Sequence, residues 1–308
     1  MFILSNLKLK WIKIKAILEK QRISHLIHYT TLQNLKGIIR SKAILSRKLI
    51  GEDKITFKNG SEASLIDKRK GKNKDEYVPL YYTIKTPMVH KTEGIKNNEL
   101  DKHKIIPIYL CINPKILLNE NIWSTTAHFT SSKSASFEDI LKTFEEIEWK
   151  YFDLWRRKMI EGRYISMDDD EYKKMCLIVQ AEVDIFQKIE LKYIEKILVR
   201  SPAELNYAKK ICEDSELLDK LELNPDAFYR KRTYIIDYSF EKTIFKITLS
   251  NSKTFQKIRI NFIYSNKTEY SWESEEYQRV YEISLEDISA GKFHFTILIN
   301  RMEVISDS

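Results

Sequence analysis

Glycine and proline are scarce in this chain, with seven and six among 308 residues, against typical usage of roughly 7% and 5%. No G-x-G-x-x-G and no G-x-x-x-x-G-K-[ST] occurs, which excludes a dinucleotide-binding Rossmann turn and a Walker loop. The three cysteines, Cys111, Cys176 and Cys212, are odd in number and widely spaced, so they form neither a disulfide framework nor a C-x-x-C metal clip. Such cysteine usage points to a reducing, cytoplasmic compartment. Long apolar runs are missing too: no segment approaches ~18 uninterrupted apolar residues, and lysines interrupt the first twenty residues too often for a signal-peptide core. The expectation is a chain that is neither secreted nor membrane-spanning.

What is present suits a globular protein, 43% apolar and 31% charged, with enough material for one large or two smaller domains. The net charge of +8 is uneven, because residues 1–75 hold 18 Lys/Arg against 6 Asp/Glu and the remainder is acidic overall. A basic front favours an anionic partner, nucleic acid before an acidic membrane face, although a solvated basic surface accounts for the charge equally well.

Leu4, Leu7, Trp11, Ile14 and Leu18 recur at steps of three and four, with Lys8, Lys10, Lys13 and Lys15 off that face. This predicts an amphipathic helix over 1–21, docked on the fold or, alternatively, lying on a membrane surface. The segment His25–Thr30 alternates like a strand, and Thr31 is placed to cap a helix with the stripe Leu32, Leu35, Ile38 and Ile39. Residues 47–76 lose periodicity, carry nine Lys/Arg and read as a long basic loop. Apolar runs at 77–84 and 105–112 predict central strands. Ser136 to Asp139 matches a helix-start signal, and apolar spacing through Trp155 predicts a helix over 137–162. Residues 176–186 read as a strand with Cys176, Ile178, Gln180, Glu182 and Asp184 on one face. A further run at 193–199 precedes Ser201-Pro202-Ala203-Glu204, a capping box that opens a helix to about 221. From 232 onward, five alternating runs (233–239, 243–249, 256–264, 277–283 and 293–299) predict a small antiparallel sandwich or barrel. The expected boundary lies near 225–232, dividing the chain into 1–228 and 229–308.

Several residues are candidates for chemistry. A carboxylate on the polar face at Gln180-Ala181-Glu182 suits stabilising positive charge on a ribose, holding a hydroxyl or moving a proton, and an ordinary solvent-facing strand edge gives the same pattern. His28 and Thr30 precede a helix N-terminus and suit a polar small molecule, though a strand histidine is commonly structural. Arg69, in Asp67-Lys68-Arg69-Lys70, has the fork that suits diphosphate or a planar base, and loop solubility explains it as well. His128 is embedded in the hydroxyl-rich run 124–132, a recognition loop or a plain connection. No His, Cys or carboxylate spacing predicts a metal.

The order of these segments resembles the DarT-type ADP-ribosyltransferases. His28-Tyr29-Thr30 with Asn34-Leu35 and Ile38 is similar to the family's H-x-T-x-x-x-N-L-x-x-I opening, and Ile66-Asp67-Lys68-Arg69 to its basic stretch with the key arginine. Val78-Pro79-Leu80-Tyr81-Tyr82 with Pro87-Met88 resembles its V-P-x-Y-F-x-P-x-x-P-M block, Ala127-His128 falls at its substrate loop, and Gln180-Ala181-Glu182 resembles its Q-A-E strand. The chain departs from the pattern at Thr83-Ile84-Lys85, in lacking a double arginine between Leu65 and Lys70, and in lacking Asp-Gly in the substrate loop. The resemblance covers residues 22–230. It implies an α/β (α+β) ADP-ribosyltransferase fold, a split central sheet with helices, followed by a small all-β unit outside the match. It also implies NAD as co-substrate, no metal, and transfer of ADP-ribose to a base of single-stranded DNA by the toxin of a toxin–antitoxin or anti-phage system. By carry-over His28, Thr30 and Asn34 bind NAD, Arg69 engages it and assists deprotonation of the base, Glu182 positions the ribose and moves a proton, and His128 holds the nucleotide. Tyr82, Lys68 and Lys70 offer stacking and phosphate neutralisation for an unstacked strand. Transfer onto RNA or protein, or nucleic-acid binding without catalysis, are the alternatives. The C-terminal unit is open to an antitoxin or phage protein, to oligomerisation, or to simple stabilisation of the rest.

Overall fold

The computed structural model describes residues 2–55, 57–58, 63–94, 106–118, 121–132, 134–229, 233–241, 243–250, 257–264, 267–285, 293–300 and 302–306. Its elements, in chain order, are α1 (Phe2–Lys20), β1 (Leu26–Thr31), α2 (Leu35–Ser41), β2 (Ala43–Leu45), α3 (Arg47–Glu52), α4 (Ala63–Lys70), β3 (Tyr77–Tyr81), α5 (Pro87–Thr92), β4 (Pro107–Ile112), β5 (Ile122–Thr125) and β6 (Ser136–Phe137). There follow α6 (Ile140–Glu146), α7 (Lys150–Trp155), α8 (Asp169–Ile178), β7 (Glu182–Phe186), β8 (Lys188–Glu190), β9 (Ile194–Val199), α9 (Pro202–Ile211) and β10 (Leu221–Leu223). The last part is all strand: β11 (Ile235–Glu241), β12 (Ile244–Leu249), β13 (Ile258–Tyr264), β14 (Glu269–Ser274), β15 (Val280–Ser284), β16 (Phe293–Ile299) and β17 (Met302–Ser306).

Eight strands form the large mixed sheet in the order β10-β9-β4-β1-β3-β7-β5-β6, while β11-β12-β15 and β14-β13-β16-β17 form two antiparallel sheets at the C-terminal end. The large sheet is split in its middle. β1 pairs with β4 over six residues but meets β3 only where Ile27 faces Tyr81. Pro79 has no N–H to donate, and its carbonyl accepts instead from His28 Nδ1 at 3.0 Å. The strands are therefore held apart at that point, as the resemblance implies.

Alternation sorts the two faces. In β3 and β7 the residues Val78, Leu80, Val183 and Ile185 enter the main core beside Leu26, Leu110 and Trp155. Ile27, Tyr29, Tyr81 and Tyr109 enter a second cluster, closed over by Val89 of α5 and by Ala227, Phe228 and Tyr229. α1 docks through Ile14 and Leu18, which are buried, but Leu7 of the expected apolar face is exposed and the Leu4 side chain lies outside the described residues.

Several expectations are corrected. Residues 47–76 are not a plain loop. Ser46 caps α3 by accepting from Leu49 N, and α4 follows. Thr31 does not cap a helix with its side chain; its hydroxyl donates to the Ile106 carbonyl at 3.1 Å. The helix expected over 137–162 is broken, because Ser136 and Phe137 pair with Thr125 and Ser124, so Asp139 caps α6 in place of Ser136. α6 ends at Glu146, and a π-helical turn over Arg156–Ile160 follows α7. Cys176 to Ile178 are helical: Asp168 caps α8 by accepting from Glu171 N, and three acidic residues in its first turn favour a helix. The Ser201 cap is present, but α9 stops at Ile211. β14 and β17 are additional to the five expected runs, and residues 230–232 of the expected boundary lie outside the described residues.

The core runs on past that boundary, since Ile235, Phe245 and Ile305 belong to the same cluster as Leu110, and the Ser201 hydroxyl donates to the Ile235 carbonyl at 2.7 Å. Arg200 fastens this junction. It is fully buried, donates through Nε to Glu204 at 3.1 Å, sits 4.0 Å over the Tyr234 ring and lies 3.6 Å from Glu93. Glu93 also accepts from Tyr229 N at 3.1 Å. Burial pushes the Glu93 carboxyl from its ordinary 4.5 up to about 7, against the pull of Arg200. The folded state therefore binds this proton more tightly than the unfolded chain. The corresponding stabilisation is complete below about pH 4.5 and is lost as pH rises through about 7. Glu93→Gln is expected to remove on the order of 2 kcal/mol of the fall in stability between about pH 5 and 8. Urea titrations at the two pH values check this, and an unaltered pH dependence counts against it.

Candidate functional site

The site lies where the sheet is split. Strand register sets Glu182 directly opposite Tyr81 and Asp184 opposite Pro79, and the period of two puts both carboxylates on the face beneath α4. Arg69, in the last turn of α4, reaches down to them. Its Nη1 donates to Glu182 Oε2 at 2.7 Å and its Nη2 to Asp184 Oδ1 at 2.7 Å. Lys74 Nζ donates to the other Asp184 oxygen at 2.5 Å. Tyr81 OH donates to Glu182 Oε1 at 3.2 Å, and Glu182 N donates to Thr125 Oγ1 at 3.0 Å. Glu182 is 1% exposed and Asp184 0%, so the polar strand face is not a solvent-facing edge.

Two cations, the buried Lys74 and the partly buried Arg69, thus balance two buried carboxylates, the condition under which charged groups are tolerated inside a protein. Burial raises the Glu182 pKa, while Arg69 pulls it back. Burial also works against the charge of Arg69, but Glu182 and Asp184 more than offset it and hold the guanidinium protonated. The Phe129 ring lies 4.9 Å from the guanidinium carbon, and its carbonyl accepts from Lys72 Nζ at 3.0 Å, tying the 124–132 loop to the basic segment. His128, next to it, shares a 2.7 Å hydrogen bond between Nδ1 and Thr130 Oγ1. Burial, with Arg69 and Lys68 nearby, lowers its pKa to about 4, so the ring is neutral at pH 7.

On the other side of the split, the carbonyl of Pro79 fixes the His28 ring with its proton on Nδ1. Asn34 Nδ2 donates to Thr30 Oγ1 at 3.1 Å. The same side chain brackets residue 58, accepting from Lys58 N at 2.7 Å and donating to its carbonyl at 3.0 Å. His28, Thr30, Asn34, Arg69, His128 and Glu182 line one cavity.

Three sequence candidates are not brought there. Tyr82 is buried beyond the end of β3 among Phe144, Trp149 and Phe152, away from any stacking surface. Lys68 and Lys70 are solvent-exposed on α4 and outside the cavity lining, since neighbours on a helix point about 100° to either side of Arg69. Gln180 serves the turn before β7, donating to the Cys176 carbonyl at 2.7 Å. Conversely, the pairing of Lys74 and Asp184 and the Arg69–Phe129 stack were not anticipated. Asp184 was visible as the next residue on the Glu182 face, whereas nothing distinguishes Lys74 from its eight basic neighbours in 47–76. Among the described residues no group of three His, Cys, Asp or Glu could hold a metal ion, and no helix is long and apolar enough to cross a membrane.

A hydrogen-bonded buried carboxylate in one cavity with His, Thr and Asn side chains is chemically equipped to hold a sugar hydroxyl and to offset positive charge developing on a ribose. Comparison with known proteins agrees in fold. The structure of Thermus sp. 2.9 DarT in complex with ADP-ribosylated ssDNA superposes with a TM-score of 0.52 at 17% identity, covering 68% of this chain and 97% of that one. The same protein in complex with NAD+ gives 0.49 at 16%, covering 67% and 98%. Thermosipho africanus DarTG in complex with ADP-ribose gives 0.49 at 17%, covering 70% and 52%. A search of curated proteins finds no sequence match. The family model described as "ssDNA thymidine ADP-ribosyltransferase, DarT" matches residues 27–229. With two thirds of its length matched in this way, the chain belongs to the DarT family of ssDNA thymidine ADP-ribosyltransferases.

Proposed function

We propose that this chain transfers ADP-ribose from NAD+ to a thymidine base of single-stranded DNA. The observation that carries the reading is the contact of Arg69 with Glu182 in the same cavity as His28, Thr30 and Asn34. The donor set fits NAD+, with His28, Thr30 and Asn34 for amide and ribose and the Arg69 cation for diphosphate. When bound, NAD+ supplies a ribose carbon from which nicotinamide can leave. Glu182 holds a ribose hydroxyl and offsets the positive charge that develops there, and its burial-raised proton affinity suits it to take the proton of the attacking base nitrogen. Arg69 is kept protonated by its two carboxylates, so its part in deprotonation is to stabilise the negative charge left on the base. Neutral His128 packs at the cavity wall and holds the nucleotide. A base reaches such a cleft only when unstacked, which favours a single strand.

An ADP-ribosyl group on a thymidine ring nitrogen blocks pairing, which supports a role as the toxic partner in a toxin–antitoxin or anti-phage system. The C-terminal sheets lie beyond the end of the family match at 229 and share its main core. Purified chain incubated with labelled NAD+ and matched oligonucleotides is expected to label thymidine-containing single-stranded DNA and to leave duplex DNA at least ~10-fold less modified. Label confined to RNA or to protein overturns the assignment.

A further inference from the structure

Asp184 has no part in the transfer just described, although it is fully buried and takes up two cations. A buried ion pair is weak evidence for stability, since apolar residues of similar volume commonly serve as well. Its geometry suggests another use. Glu182 and Asp184 stand two residues apart on β7, on one face, and each grips one Nη of the same guanidinium. Two grips on a planar fork fix its plane, whereas one leaves it free to swing. The Phe129 ring closes the third side. When substrate claims the Glu182 oxygens, one of those grips is surrendered. The other must hold Arg69 in place.

We infer that Asp184 is the positioning residue that anchors Arg69 during turnover, with Lys74 on its second oxygen keeping the anchor aligned. The inference rests on the transfer reading for its consequence in rate, but the anchoring itself is a property of the unliganded protein.

Two double variants test it without leaving a lone buried ion. In K74M/D184N the amide oxygen still accepts from Arg69, and in K74M/D184L the acceptor is gone at similar volume. K74M/D184N is expected to retain kcat within about fivefold of the parent, while K74M/D184L loses at least ~50-fold in kcat. The Arg69 Nη–H resonances of the nitrogen-labelled protein, sharp when the guanidinium cannot rotate, are expected to persist in the first variant and broaden in the second. Equal kcat and equal resonances in the two variants overturn the inference, even if both fold and melt alike. A parent chain that labels no DNA while the resonances differ as expected removes the transfer reading and leaves the anchor standing.

Discussion

Glu182→Gln is expected to lower ADP-ribosylation of single-stranded DNA by about 10²–10⁴-fold, the range for removing a positioned acid–base or charge-stabilising group. The substitution keeps the shape of the side chain and an oxygen that can accept from Arg69 or from Tyr81 OH, which lie 2.7 and 3.2 Å from the two carboxylate oxygens. What it removes is the negative charge and the proton affinity. Affinity for NAD+, measured by calorimetry, is expected to stay within about tenfold, because binding draws on His28, Thr30 and Asn34 as well. The variant has two cations, Lys74 and Arg69, facing the single buried carboxylate of Asp184, so single-turnover labelling belongs well below its melting temperature. Labelling at the parent rate rules out a charge requirement at this position. Growth inhibition in cells that survives Glu182→Gln, and is lost only with the basic segment, favours binding without catalysis.

Arg200→Met is expected to cost about 3–5 kcal/mol, the range for breaking a buried ion pair from one side, and a large share of an ordinary domain's ~5–15 kcal/mol. Arg200 is 0% exposed, and its partners Glu204 and Glu93 are 0% and 1% exposed, so no solvent replaces the lost cation. The loss also removes the stack on Tyr234, where the chain enters the C-terminal sheets. Adding Glu93→Gln and Glu204→Gln to Arg200→Met removes the stranded carboxylates and is expected to recover at least half of the loss. Urea unfolding measures both steps. A cost below about 1 kcal/mol for Arg200→Met means that the cluster contributes specificity of packing and little stability.

Much of the framework was legible before the coordinates. The apolar runs at 77–84 and 105–112 and that at 193–199 contain β3, β4 and β9, and the Ser201 capping box opens α9. The resemblance of short blocks to the DarT pattern picked out His28, Thr30, Asn34, Arg69, His128 and Glu182, which the fold gathers at one cavity from segments far apart in sequence. The differences have local causes. Tyr81 and Tyr82 are adjacent, so only one of them can face the split, and β3 ends at Tyr81. Lys68 and Lys70 flank an arginine in a stretch read as a loop, where neighbours point anywhere, but α4 turns both outward. Alternation over 176–186 imitates a strand although its first three residues close α8, because a short amphipathic pattern fits both periods until capping decides. Lys74 could not be singled out at all. Its burial follows from Asp184, a pairing across 110 residues that no local pattern contains.

β7 is an interior strand of the large sheet, laddered to β3 on one side and β5 on the other. Synthesis proceeds from the amino end, so Arg69 is made long before the carboxylate it will meet, 113 residues later. Any product ending short of residue 182 has a vacant slot between β3 and β5 and nothing acidic facing the guanidinium. The acidic pole of the site is thus the last of its parts to be made, after His28, Asn34, Arg69 and His128.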